Sequence, residues 1–125
     1  MYKAIVFAGT TEGYAICNFL AENGVSVYAC AATEYGGSLL KENEFLHVSA
    51  GRLKTEDMEE LFHKAAPEIV LDATHPYAAE VTKNIRKACE NDFKMEPVYE
   101  ERVTAFYQYF GNRHCEMTYK LVDEL

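Results

Sequence analysis

Two short segments carry most of the polar chemistry in this chain of 125 residues. The first is Ala8-Gly9-Thr10-Thr11-Glu12-Gly13 and the second is Asp72-Ala73-Thr74-His75-Pro76-Tyr77-Ala78. Each follows an apolar run of strand length and leads into helical periodicity. The opening N–H groups of a helix have no intrahelical partner, and its dipole puts partial positive charge at that end, so such a turn is suited to an anion. Gly9 would let a pyrophosphate approach the backbone, and Gly13 would let the helix lie close on the first strand. Thr10 and Thr11 offer hydroxyls for capping or for phosphate. The carboxylate of Glu12 would repel phosphate. It must therefore point away, cap the loop's own N–H groups, or bond a ribose hydroxyl. The spacing is GxxxG with Ala8 at a first-glycine position, an imperfect form of the dinucleotide fingerprint. The same residues would also serve a tight turn with no ligand.

In the second segment, Asp72 follows an apolar run and is expected to bond neighbouring backbone N–H groups. His75 could cap the following helix, bond a cofactor phosphate, or touch the nicotinamide end. Tyr77 is a substrate contact or a wedge against the next element. The tip of the second strand reads Ala31-Ala32-Thr33, with no acid to take the adenosine ribose hydroxyls. A 2′-phosphate is not repelled there, which favours NADP over NAD. Arg52 is a candidate partner for that phosphate or for the adenine; its alternative is a solvated surface arginine.

The elements that must hold these residues alternate. Residues 4–8 and 25–32 are apolar runs of strand length, and 45–49 and 69–73 read as a short third strand and a fourth. Between them lie helical stripes: Ile16, Phe19 and Leu20, then Met58, Leu61, Phe62 and Ala65, then Ala78, Val81, Ile85 and Ala88. Asn23-Gly24 stops the first helix, Thr55 is positioned to cap the helix before Pro67, and Pro76 suits a first helical residue. Gly36-Gly37 should break the segment after the second strand. Residues 97–102 predict a fifth strand, residues 103–110 are strand-like, and residues 118–125 predict a short terminal helix. The expected architecture is α/β, a Rossmann-like three-layer sandwich with a parallel sheet of about five strands in the order 3-2-1-4-5. The order reverses between strands 1 and 4, where ligands bind beyond the carboxyl ends. That topology places the two polar turns side by side. A ligand-free assembly domain has no use for that pair.

The formal charge of −8 disfavours nucleic acid and anionic membranes. No apolar run is long enough to cross a membrane, and residues 1–6 lead directly into a strand, so a cytoplasmic location with reduced thiols is expected. Cys17, Cys30 and Cys89 read as small buried hydrophobes. His114-Cys115 offers two adjacent ligands, but nothing nearby completes a set, so no metal is expected. Tyr99, Phe106, Tyr107, Tyr109 and Phe110 make the 99–110 segment a candidate homodimer face.

Gly9-Thr10-Thr11-Glu12-Gly13, Gly51-Arg52-Leu53 and Asp72-Ala73-Thr74-His75-Pro76-Tyr77-Ala78 together resemble the precorrin-6A and cobalt-precorrin-6A reductase family, over roughly residues 3–102. The resemblance implies a cobalamin-biosynthesis enzyme that reduces a carbon–carbon double bond of the tetrapyrrole with NADPH. By position, Gly9 to Gly13 would line the cofactor pyrophosphate and Thr33 would lie near the adenosine. Gly51 and Arg52 would border the cofactor crevice. Thr74, His75 and Pro76 would face the nicotinamide, with Tyr77 toward the macrocycle. His75 is the candidate proton donor, with water or the substrate itself as the alternative. Ala8 departs from a glycine common in the family, and Val103 stands where proline is usual. The family continues into a second α/β domain, and the macrocycle would bind between the halves. Residues 1–102 are thus expected to form the NADP(H)-binding domain, and 103–125 to begin a second domain or form a terminal extension. The alternative is a non-catalytic nucleotide-binding or regulatory module that kept the fold without the substrate domain.

Overall fold

A computed structural model of the chain describes residues 2–75, 78–91, 95–98 and 117–121. Four strands, β1 (Ala4–Ala8), β2 (Val27–Ala31), β3 (Leu46–Ala50) and β4 (Ile69–Ala73), alternate with helices α1 (Thr11–Glu22), α2 (Glu34–Ser38) and α3 (Thr55–Ala65). Helix α4 (Ala79–Asn91) follows, then strands β5 (Met95–Val98) and β6 (Met117–Leu121). The sheet order is β3-β2-β1-β4-β6-β5. The first four strands are mutually parallel in the expected 3-2-1-4 arrangement.

β1, β2 and β4 are buried on both faces, while β3, at the sheet edge, buries Leu46 and leaves His47 and Ala50 exposed. On one face Val6, Val27, Leu46 and Leu71 pack with Ile16 and Cys17 of α1. On the other, Ile5, Phe7 and Val70 pack with Met58 and Phe62 of α3 and with Ile85 and Cys89 of α4. Phe7 and Phe62 meet edge to face, their ring centroids 6.4 Å apart. Each fully buried side chain of this size contributes roughly 1.5–3 kcal/mol. Helices on both faces of one sheet make the three-layer sandwich.

Beyond β4 the expectation of a parallel fifth neighbour is corrected. The strand beside β4 is β6, antiparallel to it, with Ile69 opposite Lys120 and Asp72 opposite Met117. β5 pairs antiparallel with β6 and lies at the edge. Proline explains the exchange: Pro97 has no N–H for a ladder, so its strand suits an edge, while proline-free Met117–Leu121 takes the inner place. The helix expected over 118–125 is replaced, where described, by β6, whose Thr118 and Tyr119 favour a strand. The expected strand at 103–110, the 99–110 homodimer face, Cys115 and the division at residue 102 lie outside the described residues.

Three local expectations also shift. Gly36 and Gly37 lie inside α2 rather than breaking it. A Cβ on Gly37 would come within 3.3 Å of the Ala50 Cβ, so the glycines let this short helix lie directly on β2 and β3. The N-cap of α3 is Lys54, not Thr55; the Asp57 carboxylate accepts the Lys54 N–H at 3.0 Å and supplies the cap from inside the helix. At its other end α3 closes on Ala66 in the left-handed region, φ 49°. Gly24 ends α1 with φ 77°, as its type requires.

Candidate functional site

The strand registers align four alanines across the sheet. Ala50 pairs with Ala31, Ala31 with Ala8, and Ala8 with Ala73. They form the carboxyl rim, and each is followed by a segment singled out in the sequence. Three helical glycines stand over the row. A Cβ on Gly13 would lie 3.1 Å from the Ala8 Cα and 3.2 Å from both the Cβ and the O of Ala73. A Cβ on Gly36 would lie 3.6 Å from that of Ala31. Small residues on both sides draw the starts of α1 and α2 down onto the rim. Gly13 thus does what was expected of it, against β4 as well as β1.

The turn after β1 is held by Thr10. Its hydroxyl accepts the Gly13 N–H at 3.1 Å, capping α1, and donates to the Ala73 carbonyl at 2.9 Å. One hydroxyl therefore caps a helix and ties the first turn to the second. It is committed to the fold, which leaves the exposed Thr11 as the hydroxyl available to a phosphate. The first intrahelical bond runs from the Tyr14 N–H to the Thr10 carbonyl. The N–H groups of Thr11 and Glu12 precede it and so lie outside the helix's own ladder, the kind of end that suits an anion. The side chain of Glu12 lies outside what the structure describes. Gly9 abuts the second turn: a Cβ there would sit 3.6 Å from the Thr74 Cα and 3.9 Å from the His75 N.

The turn after β4 is built around Asp72, which is fully buried. One carboxylate oxygen accepts the Thr74 N–H at 3.1 Å and the Thr74 hydroxyl at 2.6 Å. The other accepts the Thr82 hydroxyl of α4 at 2.7 Å. The expected bonding to backbone is present, and two hydroxyls join it. A buried carboxylate requires such donors, since an unmatched one costs several kcal/mol. His75 is exposed at the lip of the turn, and its carbonyl accepts the Ala78 N–H at 2.9 Å. Pro76 and Tyr77 lie outside the described residues.

Toward β3 the rim carries Thr33, Gly51 and Arg52. The Thr33 hydroxyl caps α2 by accepting the Gly36 N–H at 3.0 Å. Gly51 has φ +127° and donates its N–H to the Ala31 carbonyl at 2.9 Å, which sets the exposed Arg52 beyond the tip of β2. Sequence reading missed Tyr14. Its hydroxyl oxygen would lie 3.0 Å from a Cβ on Gly36, so the phenol covers the Thr33–Gly36 turn. Burial, then Cys17 and Tyr35, raise its pKa. Thr82 was missed as well. It stands four residues after Ala78, a polar residue within an apolar stripe, and that was its available signal.

The thiols belong to the interior. Cys17, Cys30 and Cys89 are buried and unpaired with one another. Burial pushes the Cys17 thiol up to about 12 and raises the other two as well. An open groove of about 300 Å³ runs along β3, lined in part by Glu34, Gly37, Leu40, Glu42 and Val48. It is set apart from the two polar turns. Among the described residues no helix is long and apolar enough to cross a membrane.

Comparison with known proteins adds to this geometry. The family model described as precorrin-6x reductase CbiJ/CobK matches residues 3–103. Cobalt-precorrin-6A reductase of Methanothermobacter thermautotrophicus is 36% identical over 88 residues, 70% of this chain and 29% of that protein. The cobalt-precorrin-6A reductases of Priestia megaterium and Salmonella typhimurium are 31% and 33% identical over 64% and 69% of this chain. The chain thus spans under a third of these relatives, 31% and 32% for the latter two. A solved structure of CobK precorrin-6A reductase superposes with a TM-score of 0.62 at 24% identity, covering 79% of this chain and 41% of the other. With the family model matching across all four parallel strands and both rim turns, this chain belongs to the precorrin-6x reductase CbiJ/CobK family.

Proposed function

We propose that this chain supplies the cofactor-binding half of an NADPH-dependent reductase that acts on a carbon–carbon double bond of precorrin-6A or its cobalt form. The observation that carries the proposal is the joining of the two polar turns at the switch point of the sheet, with the Thr10 hydroxyl bonded to the Ala73 carbonyl. The residues fit a dinucleotide: Gly9 carries no side chain where the first turn packs against Thr74 and His75, and the Thr11 and Glu12 N–H groups precede the first internal bond of α1. The relatives named above are cobalt-precorrin-6A reductases.

In this reading the Thr11 and Glu12 N–H groups bind the pyrophosphate, with the α1 dipole adding to the attraction. Thr33 borders the adenosine, and Arg52 holds the 2′-phosphate beyond the acid-free tip of β2. Thr74, His75 and Pro76 line the nicotinamide side, and Tyr77 faces the macrocycle. When bound, NADPH supplies the hydride; the protein contributes mostly position. The exposed His75 is the proposed proton donor, with water or the substrate itself as the alternative. The macrocycle would be closed in by the part of the family's length that lies beyond this match. The location proposed for this chemistry is the cytoplasm.

Ligand-dependent melting tests the reading. For a dissociation constant near 10 μM, 1 mM NADPH stabilises a fold by about 2.7 kcal/mol, which raises Tm by roughly 10 °C at this size. NADH should give a much smaller rise. No shift with millimolar NADPH sinks the proposal. Binding that persists without any macrocycle reduction, even when the remaining length of the family is supplied, points instead to a regulatory nucleotide-binding module.

A further inference from the structure

We propose that Thr82, at the end of the first turn of α4, is a positioning residue for the cofactor crevice, acting through Asp72 on Thr74. The proposal rests on the reading of the crevice given above. Thr82 lies outside the rim and outside each of the three motifs. Its hydroxyl nevertheless donates at 2.7 Å to the fully buried Asp72 carboxylate. The other oxygen of that carboxylate takes both the N–H and the hydroxyl of Thr74, the latter at 2.6 Å. Thr74 is itself buried, and its Cα is the nearest atom to the space left by Gly9.

The connection is therefore continuous, from helix to carboxylate to rim. A carboxylate with one oxygen on Thr74 and the other on Thr82 has its plane fixed at both ends. Removing the Thr82 hydroxyl takes a 2.7 Å hydrogen bond from one end and loosens the hold on the carboxylate's orientation. The two bonds to Thr74 then lose their common geometry, and with them the placement of the backbone that leads into His75. Charge-assisted hydrogen bonds are the strong class, so the geometry they impose is well defined. The Thr82 N–H meanwhile serves the helix, donating to the Ala78 carbonyl at 3.2 Å. Substitution of the side chain leaves that bond in place.

The test uses the 125-residue chain with Thr82→Val, which keeps the shape and loses the hydroxyl, and Thr82→Ser, which restores it. NADPH affinity is measured by calorimetry, and exchange of the Thr74 amide by NMR. Thr82→Val is expected to weaken NADPH binding about tenfold and to speed Thr74 exchange by a similar factor, with the circular dichroism unchanged. Thr82→Ser should return both to within about twofold of the original chain. A folded Thr82→Val chain that binds NADPH as before overturns the proposal. So does a loss that Thr82→Ser fails to rescue, which would mark a packing effect. If the unaltered chain binds no NADPH, the functional reading fails. Amide exchange then decides the coupling: unchanged protection of Thr74 in Thr82→Val overturns it, and faster exchange rescued by serine upholds it.

Discussion

After β1 the chain enters its helix through glycine, with a single threonine hydroxyl holding the bend. After β4 it does so around a buried carboxylate that accepts hydrogen bonds from Thr74 and Thr82. The first turn is specified by missing atoms: Gly13 clears the Ala8 backbone and the Ala73 side chain. The second is specified by atoms present, whose loss would leave buried partners unmatched. A turn built on absence leaves the first N–H groups of its helix outside the helical ladder, which suits a ligand read by its charge. A turn built on a buried network holds its polar side chains in one arrangement, which suits a ligand that must be oriented. Both requirements meet in a dinucleotide, with phosphate at one end and a reacting ring at the other.

That contrast predicts different kinds of damage. Asp72→Ala should do the most. It removes the acceptor of the buried Thr74 N–H and hydroxyl and of the half-buried Thr82 hydroxyl, and bonds to charged groups are worth about 1.5–3 kcal/mol each. Relief of the carboxylate's own desolvation offsets part of this. A net loss of about 3 kcal/mol is expected, or roughly 12 °C in Tm. A loss under about 1 kcal/mol in urea unfolding would mean that the second turn is not held by its network.

Gly13→Ala should cost less, because two terms oppose. Alanine gains about 1 kcal/mol over glycine in a helix interior. The added methyl meets Ala8 and Ala73 at 3.1–3.2 Å, two of its three nearest contacts being backbone atoms that cannot swing aside. Overpacking of this kind costs about 1–3 kcal/mol. We expect a net loss of about 1 kcal/mol, with NADPH affinity falling further than stability as α1 is pushed off the rim. A stabilised variant would show that the glycine serves the ligand alone.

The two turns were also unequally legible in sequence. The strands at residues 4–8 and 69–73 declare themselves by apolar runs, the second interrupted only by Asp72, and parallel order then places the turns together. The role of Gly13 was readable because close packing is what glycine at that spacing is for. The double use of Thr10 was not, since its acceptor, the Ala73 carbonyl, is 63 positions away. Thr82 was hidden by the same distance problem in milder form: periodicity marks the buried stripe but does not say which carboxylate lies under it. The β5–β6 reversal was missed for want of weight on Pro97, whose absent N–H bars it from an inner strand. Thr55 looked like a cap by type, yet Asp57 two residues on does the work from within the helix.

The smallest effects test whether the turns act as one unit. Thr10→Val removes the α1 cap and the bond to Ala73, for a loss of about 1 kcal/mol. Thr82→Val acts on the second turn alone, through Asp72. The two hydroxyls share no atom, but the acceptor of the first, Ala73, lies in the chain between Asp72 and Thr74. Sites that are independent add within about 0.3–0.5 kcal/mol, whereas sites in one network couple by 0.5 kcal/mol or more. The double variant should therefore lose about 0.5–1 kcal/mol less than the sum of the singles. Once either hydroxyl is gone, the Ala73–Thr74 backbone has already relaxed, and the second loss finds less to undo. Strict additivity in urea unfolding would separate the turns into two independent devices that merely face the same crevice.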